Sequence, residues 1–164
     1  MLARHDVDYV LVGGYAALLR GSGMATIDID IVPARRKPNL ANLAAALTDL
    51  QARVRVAGSD ALPFRASAES LQGMNVLNLT TRFGDLDLTF APSGFVDGFN
   101  ALRIAATAMK IDGVRVLVAS LDDVIASKEA AGRDKDFEVL PRLIRLRQEQ
   151  EEAARDPMPG QEPG

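Results

Sequence analysis

Apolar residues recur along this chain in two rhythms, and the switches between them mark out the elements. "VDYVLVGG" (7–14) reads as a short buried strand ending in two glycines, and "YAALLRG" has helical spacing up to Gly21. "SGMA" is a loop that leads into the alternating strand "TIDIDIVP" (26–33). Leu40, Leu43, Ala44, Leu47 and Leu50 fall at helical spacing within 35–54, and Pro38-Asn39 makes a plausible start. The stretch 57–72 holds Pro63 and scattered small residues, and reads as loop with a short strand or helix. "MNVLNLTTRFGDLDLTFAP" (74–92) reads as a β-hairpin turning near Arg82-Phe83-Gly84, and a helix is expected over roughly 95–108. "MKIDGVRVLVAS" (109–120) is a second hairpin, with Asp112-Gly113 as a tight-turn signal. Ser120 opens a helix that Gly132 stops, and a last helix covers 134–156, with Pro141 either kinking or splitting it.

Strand, helix, strand, helix, hairpin, helix, hairpin and closing helices predict an α/β fold, a mixed β-sheet flanked by helices. No internal repeat or interdomain linker interrupts it, so 1–155 reads as one domain. The Pro- and Gly-rich segment 156–164 reads as a disordered tail. At 164 residues, 48% hydrophobic and 25% charged, the chain has globular values and room for one ordinary core. Without cysteine there is neither a disulfide nor a thiolate metal site, which fits a cytoplasmic protein. The single histidine, His5, excludes a histidine-rich zinc centre. No apolar run approaches the ~20 residues that span a bilayer, so no membrane partner is expected, and the opening segment reads as a fold element instead of a secretion signal. A net charge of −3 argues against a general nucleic-acid coat, although local basic clusters can still hold phosphates.

The candidate chemistry lies in four places. Gly13-Gly14, between strand and helix, is either a close approach for a phosphate or a tight turn. Asp28 and Asp30 alternate with Ile27, Ile29 and Ile31, so both carboxylates share one strand face. Two like charges at that spacing repel unless something positive lies between them, and Asp is disfavoured in strands. A solvated edge strand is the plain explanation; a magnesium ion, which takes carboxylate and phosphate oxygens, fits better. "GDLDL" repeats the arrangement with Asp85 and Asp87. If the strands are neighbours, three or four carboxylates converge, as a two-metal transfer site requires. Of this second pair Asp87 is the expected third ligand, because Asp85 sits beside the turn glycine while Asp87 lies between Leu86 and Leu88, where an unpaired carboxylate is costly. Finally, Lys128, Arg133, Lys135 and Asp136 in "SKEAAGRDKD" are either a solvated helix end or cations for a triphosphate. Arg35, Arg36 and Lys37 read as solvated, with a role in holding RNA phosphates.

Taken together, "VLVGGYAALLRGSGMATIDIDIV" resembles the nucleotidyltransferase signature of the DNA polymerase beta superfamily: a hydrophobic residue, Gly, Gly or Ser, a spacer and Asp-x-Asp in a strand. Thirteen residues separate Gly14 from Asp28. "GDLDL" looks like the strand with the third carboxylate, and "SLDDVIASKEAAGRDKDFEVL" is similar to the carboxy-terminal motif of the AbiEii and MenT-type toxins. The resemblance runs from about Val7 to Leu140. It implies the minimal nucleotidyltransferase fold and transfer of a nucleoside monophosphate from an NTP to an acceptor hydroxyl. It further implies Asp28, Asp30 and Asp87 as ligands of Mg²⁺ and Lys128 as a catalytic cation. Gly13, Gly14, Ser22, Thr26, Lys128, Arg133 and Asp136 would contact the NTP. Many members carry Ser where this chain has Gly14, and Ser22 is the substitute considered for it. Acceptors implied are RNA, including a tRNA 3′ end, or a partner protein, with a cognate antitoxin as binding partner. A regulatory module that works by binding a partner chain is the alternative.

Overall fold

The computed structural model describes residues 1–155; the expected disordered tail, 156–164, lies outside the described residues. A 3₁₀ turn, Leu2–His5, precedes β1 (Tyr9–Val12), α1 (Gly13–Leu19), β2 (Asp28–Pro33) and α2 (Lys37–Asp49). Two short strands, β3 (Arg53–Val54) and β4 (Leu62–Pro63), then lead to α3 (Ala68–Gln72). The hairpin β5 (Val76–Thr81) and β6 (Gly84–Thr89) follows, then the single turn α4 (Phe99–Leu102). A second hairpin, β7 (Thr107–Ile111) and β8 (Val114–Val118), precedes α5 (Leu121–Ala131) and α6 (Asp134–Arg155). All strands join one mixed sheet in the order β4-β3-β5-β6-β2-β1-β8-β7. β2 runs parallel to β6 and β1 parallel to β8, while β1 and β2 are antiparallel.

This register sorts the side chains into rows. Leu11, Ile31, Leu88 and Leu77 pair across four strands, all buried. With Leu40, Leu43 and Leu47 of α2 they belong to one core cluster, and burying each such aliphatic side chain contributes roughly 1.5–3 kcal/mol. The neighbouring row, Val12, Asp30, Asp87 and Asn78, faces the other way because successive strand residues alternate. The carboxylates thus share a face with Val10 and Val32, which are buried further along the same strands, and stand opposite the leucine row.

Four local expectations change. The helix foreseen over 35–54 is α2 alone: Gln51 takes a positive φ of 54°, Ala52 N–H donates to Leu47 O, and Arg53 departs as a strand. The helix foreseen over 95–108 shrinks to α4. Gly98 adopts φ +50°, with its missing Cβ position 2.0 Å from Phe90 O, while Val96 and Ile104 lie exposed instead of forming a buried stripe. Pro141 does not split the last helix, which runs unbroken from Asp134. Arg35 is not a solvated phosphate holder. Its guanidinium donates to Gln72 O (2.7 Å), Met74 O (2.9 Å) and Asn75 Oδ1 (3.0 Å) and stacks 4.6 Å from the Phe90 ring centre, while Arg36 pairs with Asp8.

Candidate active site

The strand row places Asp30 and Asp87 side by side, and Asp28 stands two residues earlier on the same face. A ligand oxygen from each of Asp28, Asp30 and Asp87 lies within 4.8 Å of the others. Asp85 shares that face, but its carboxylate turns to Arg55 and stays outside this group. Asp28 is steadied by Thr26, whose hydroxyl donates to its Oδ1 at 2.9 Å.

Burial and neighbouring charge raise the proton affinity of two of the three carboxylates. Burial, then the charges of Asp28 and Asp87, push the Asp30 carboxyl up to about 6. Burial also raises Asp87, against the opposing pull of Arg55. Three convergent oxygen donors, hard and anionic, suit a divalent cation of the magnesium type.

Gly13 explains how Asp30 fits. It opens α1 at φ +65°, and a Cβ there would lie 2.1 Å from Asp30 Oδ2, so the carboxylate occupies the space a side chain would need. Gly14 does the same for Thr26, with the missing Cβ 2.9 Å from its hydroxyl oxygen. Ser22 is buried elsewhere: its hydroxyl accepts from Met24 N–H at 3.2 Å, and it does not line the cleft.

Opposite the carboxylates stands a basic wall. Ser120 caps α5 by accepting from Asp123 N–H, and Gly132 ends that helix at φ +58°. The short link folds α6 back so that Asp136 comes beneath Lys128 and Arg133. Asp136 is wholly buried, receiving Lys128 Nζ at 3.0 Å and Arg133 Nε at 2.6 Å. Burial alone would raise its carboxyl; the hydrogen bonds from Arg133 and Lys128 more than offset this and hold it below the usual range. Asp136 thus orients both cations from below. Lys128, Arg133 and Lys135 line a cleft of about 620 Å³ whose other wall holds Gly13, Asp30 and Asp87.

One site residue escaped the sequence reading. Arg55 reaches from the end of β3 over β5 and donates to Asp85 and, at 2.5 Å, to Asp87 Oδ1. The alternation in "ARVRV" (52–56) was the signal; the helical stripe ending at Leu50 obscured it. An apolar groove of about 480 Å³, lined by Leu11, Ile29 and Leu86 on the sheet's other face, holds no comparable cluster.

Known proteins share this frame. The lincosamide antibiotic adenylyltransferase LnuA, solved with lincomycin bound, superposes with a TM-score of 0.56 at 13% identity, covering 88% of this chain and 90% of its own. An antigenic nucleotidyltransferase-like protein from Paracoccidioides brasiliensis matches with a TM-score of 0.52 at 18% identity, covering 88% of this chain and 71% of its own. At such identities the likeness is one of fold. No curated protein matches the chain in sequence. A family model, however, matches residues 1–144, and the chain belongs to that family, the nucleotidyltransferases of unknown function (DUF6036).

Proposed function

We propose that this nucleotidyltransferase is magnesium-dependent and moves a nucleoside monophosphate from an NTP to a hydroxyl of RNA, a tRNA 3′ end among them. One observation carries the reading: three carboxylates and a Lys–Arg pair face each other across a single cleft. In the reaction the acceptor oxygen bonds to the α-phosphorus and the bond to the α,β-bridging oxygen breaks. Pyrophosphate leaves with that electron pair, and the hydroxyl proton passes to Asp87 and on to solvent. Asp28, Asp30 and Asp87 would hold the divalent cations, whose chemistry when bound would be to lower the pKa of the attacking hydroxyl and to offset the charge of the departing pyrophosphate. Gly13 makes room for the Asp30 carboxylate at the start of α1, and both line the cleft that would take the phosphates. Lys128 and Arg133, prealigned on Asp136, meet the triphosphate charge.

The sheet order supports separate places for the two substrates. Gly13, Lys128 and Arg133 belong to the β1–α1 and α5–α6 side, whereas Asp87 stands on the side of β5 and β3. The nucleotide takes the first side and the acceptor hydroxyl enters over the second. RNA as acceptor, a toxin role in the cytoplasm and a cognate antitoxin draw their support from the likeness of the Lys–Arg–Lys-Asp run to the AbiEii and MenT-type toxins.

The test is incubation with each α-labelled NTP and Mg²⁺, in separate arms with total RNA, cell protein or lincomycin. Label in RNA supports the proposal. Label in a protein band would establish partner nucleotidylation, and transfer to lincomycin a small-molecule acceptor. No label under any condition would favour the binding module.

A further inference from the structure

The carboxylate cluster already contains a cation of its own. Arg55 N–H donates to Asn78 O at 2.9 Å, which extends the β3–β5 pairing and puts Arg55 in the row of Asn78, Asp87 and Asp30. Its guanidinium forks over β6, one nitrogen on Asp85 and the other on Asp87 Oδ1. The side chains of Arg55 and Asp87 are only 33% and 17% exposed, so water screens this contact less than a surface pair. Asp87 is therefore shared between Arg55 and the group formed with Asp28 and Asp30. A guanidinium does not give up its charge, so the competitor is permanent.

We propose that Arg55, tethered by Asp85, is a built-in counter-cation that competes with divalent cations for Asp87 and lowers the metal affinity of the nucleotide-free enzyme. The inference rests on reading Asp28, Asp30 and Asp87 as the metal-holding group. With Asp85 the group carries four carboxylate charges and Arg55 cancels one, so a single divalent cation brings the remainder close to neutral. A second cation gains its place with the negative charge that a triphosphate brings. Arg55 thereby couples metal binding to nucleotide binding.

The experiment is Mn²⁺ titration of the full chain without nucleotide, with free Mn²⁺ read by electron paramagnetic resonance. Arg55→Gln should bind Mn²⁺ about tenfold more tightly, the order expected when a unit charge near a divalent site is removed into partly hydrated surroundings. Arg55→Lys keeps the charge and should stay near wild type. Asp87→Asn, which needs no change at Arg55, should cost less Mn²⁺ affinity than Asp30→Asn, because Arg55 already occupies Asp87. Unchanged or weaker binding by folded Arg55→Gln, or equal costs for the two Asn variants, would overturn the proposal. Loss of Mn²⁺ in Asp30→Asn beside an unaffected Arg55→Gln would refute the role of Arg55 alone. Absence of Mn²⁺ binding by wild type and by folded Arg55→Gln alike would refute the metal-site reading and this inference with it.

Discussion

β2 and β6 carry the same Asp-x-Asp pattern and run parallel in adjacent positions, Asp28 beside Asp85 and Asp30 beside Asp87. Their carboxylates nevertheless meet different surroundings. Both acids of β2 enter the cluster, one backed by Gly13 and the other held by Thr26. On β6 only Asp87 does, while Asp85 is spent on Arg55 from an outer strand. Identical strand parity thus produces two kinds of acid: three that converge, one of them shared with Arg55, and one held by Arg55 outside the group. Like charge kept together with only partial internal compensation is costly, and it is the arrangement that favours an external cation.

The largest expected effect tests that division. Asp28→Asn, Asp30→Asn and Asp87→Asn should each reduce Mg²⁺-dependent nucleotide transfer by about 10³-fold or more, since each removes a ligand of one cluster. Asp28→Asn combined with Asp87→Asn should be no worse than either alone. Steady-state turnover with labelled NTP measures this. An active Asp87→Asn would erase the distinction between the two strands.

The glycines beside the two patterns give the next contrast. At Gly13 a methyl group would collide with the Asp30 carboxylate, and at Gly84, φ +128°, it would meet nothing within 4 Å. Gly13→Ala should cut turnover about 100-fold by displacing a reacting-site group. Gly84→Ala should cost about 1 kcal/mol through its backbone angle and leave turnover largely intact. Parallel melting curves and rates separate the two kinds of damage.

How much of this was readable beforehand follows the same physics. Alternation fixes the face of a strand residue, so Asp28 and Asp30 could be placed from sequence, as could the paired hairpins. Parity treats Asp85 and Asp87 alike, and only position hinted at the difference. Their separation depends on Arg55, thirty residues away in sequence from Asp85. That residue lies beyond Leu50, where a helical rhythm runs into a strand of two residues too short to announce itself. Asp136 was readable as a member of the basic motif, but its burial beneath Lys128 and Arg133 depends on how α5 and α6 fold together. Arg35 looked free because carbonyl acceptors from a distant loop leave no trace in the sequence.

Proton linkage sharpens the comparison from the side of stability. The Asp30 carboxyl is raised to about 6 in the fold, above its ordinary value of 3.8. The folded metal-free protein therefore holds this proton more tightly than the unfolded chain does. Stability from Asp30 is fully present below about pH 4 and is lost as pH rises through about 6. Asp30→Asn abolishes this dependence. Without metal, the variant should gain on wild type as pH rises from 4 to 7, by on the order of 2–3 kcal/mol, each tenfold change in proton affinity being worth about 1.4 kcal/mol. Mg²⁺ should shrink the gap by stabilising wild type alone. Chemical denaturation at both pH values, with EDTA and with Mg²⁺, decides it; a metal-free gap independent of pH would mean that Asp30 is not under strain.

Asp85→Asn is the smallest change and the most discriminating. Asp85 lies on the cluster's face of the sheet, beside Asp28 of the adjacent strand. If charge near the metal were all that mattered, its loss should resemble that of Asp87. The contacts argue otherwise, because its carboxylate meets the Arg55 guanidinium and takes no place in the group of three. Its ion pair is partly exposed, at 33% for Arg55 and 30% for Asp85, so its net worth is about 1 kcal/mol or less. Arg55 keeps its second anchor on Asp87 when the first is gone. Asp85→Asn should accordingly retain turnover within about threefold of wild type, a change of barrier below about 1 kcal/mol. Rates at saturating NTP and Mg²⁺ provide the measure, with Asp87→Asn as the companion. Inactive Asp85→Asn beside active Asp87→Asn would exchange the two roles and make the outer residue of β6 the acid that completes the cluster.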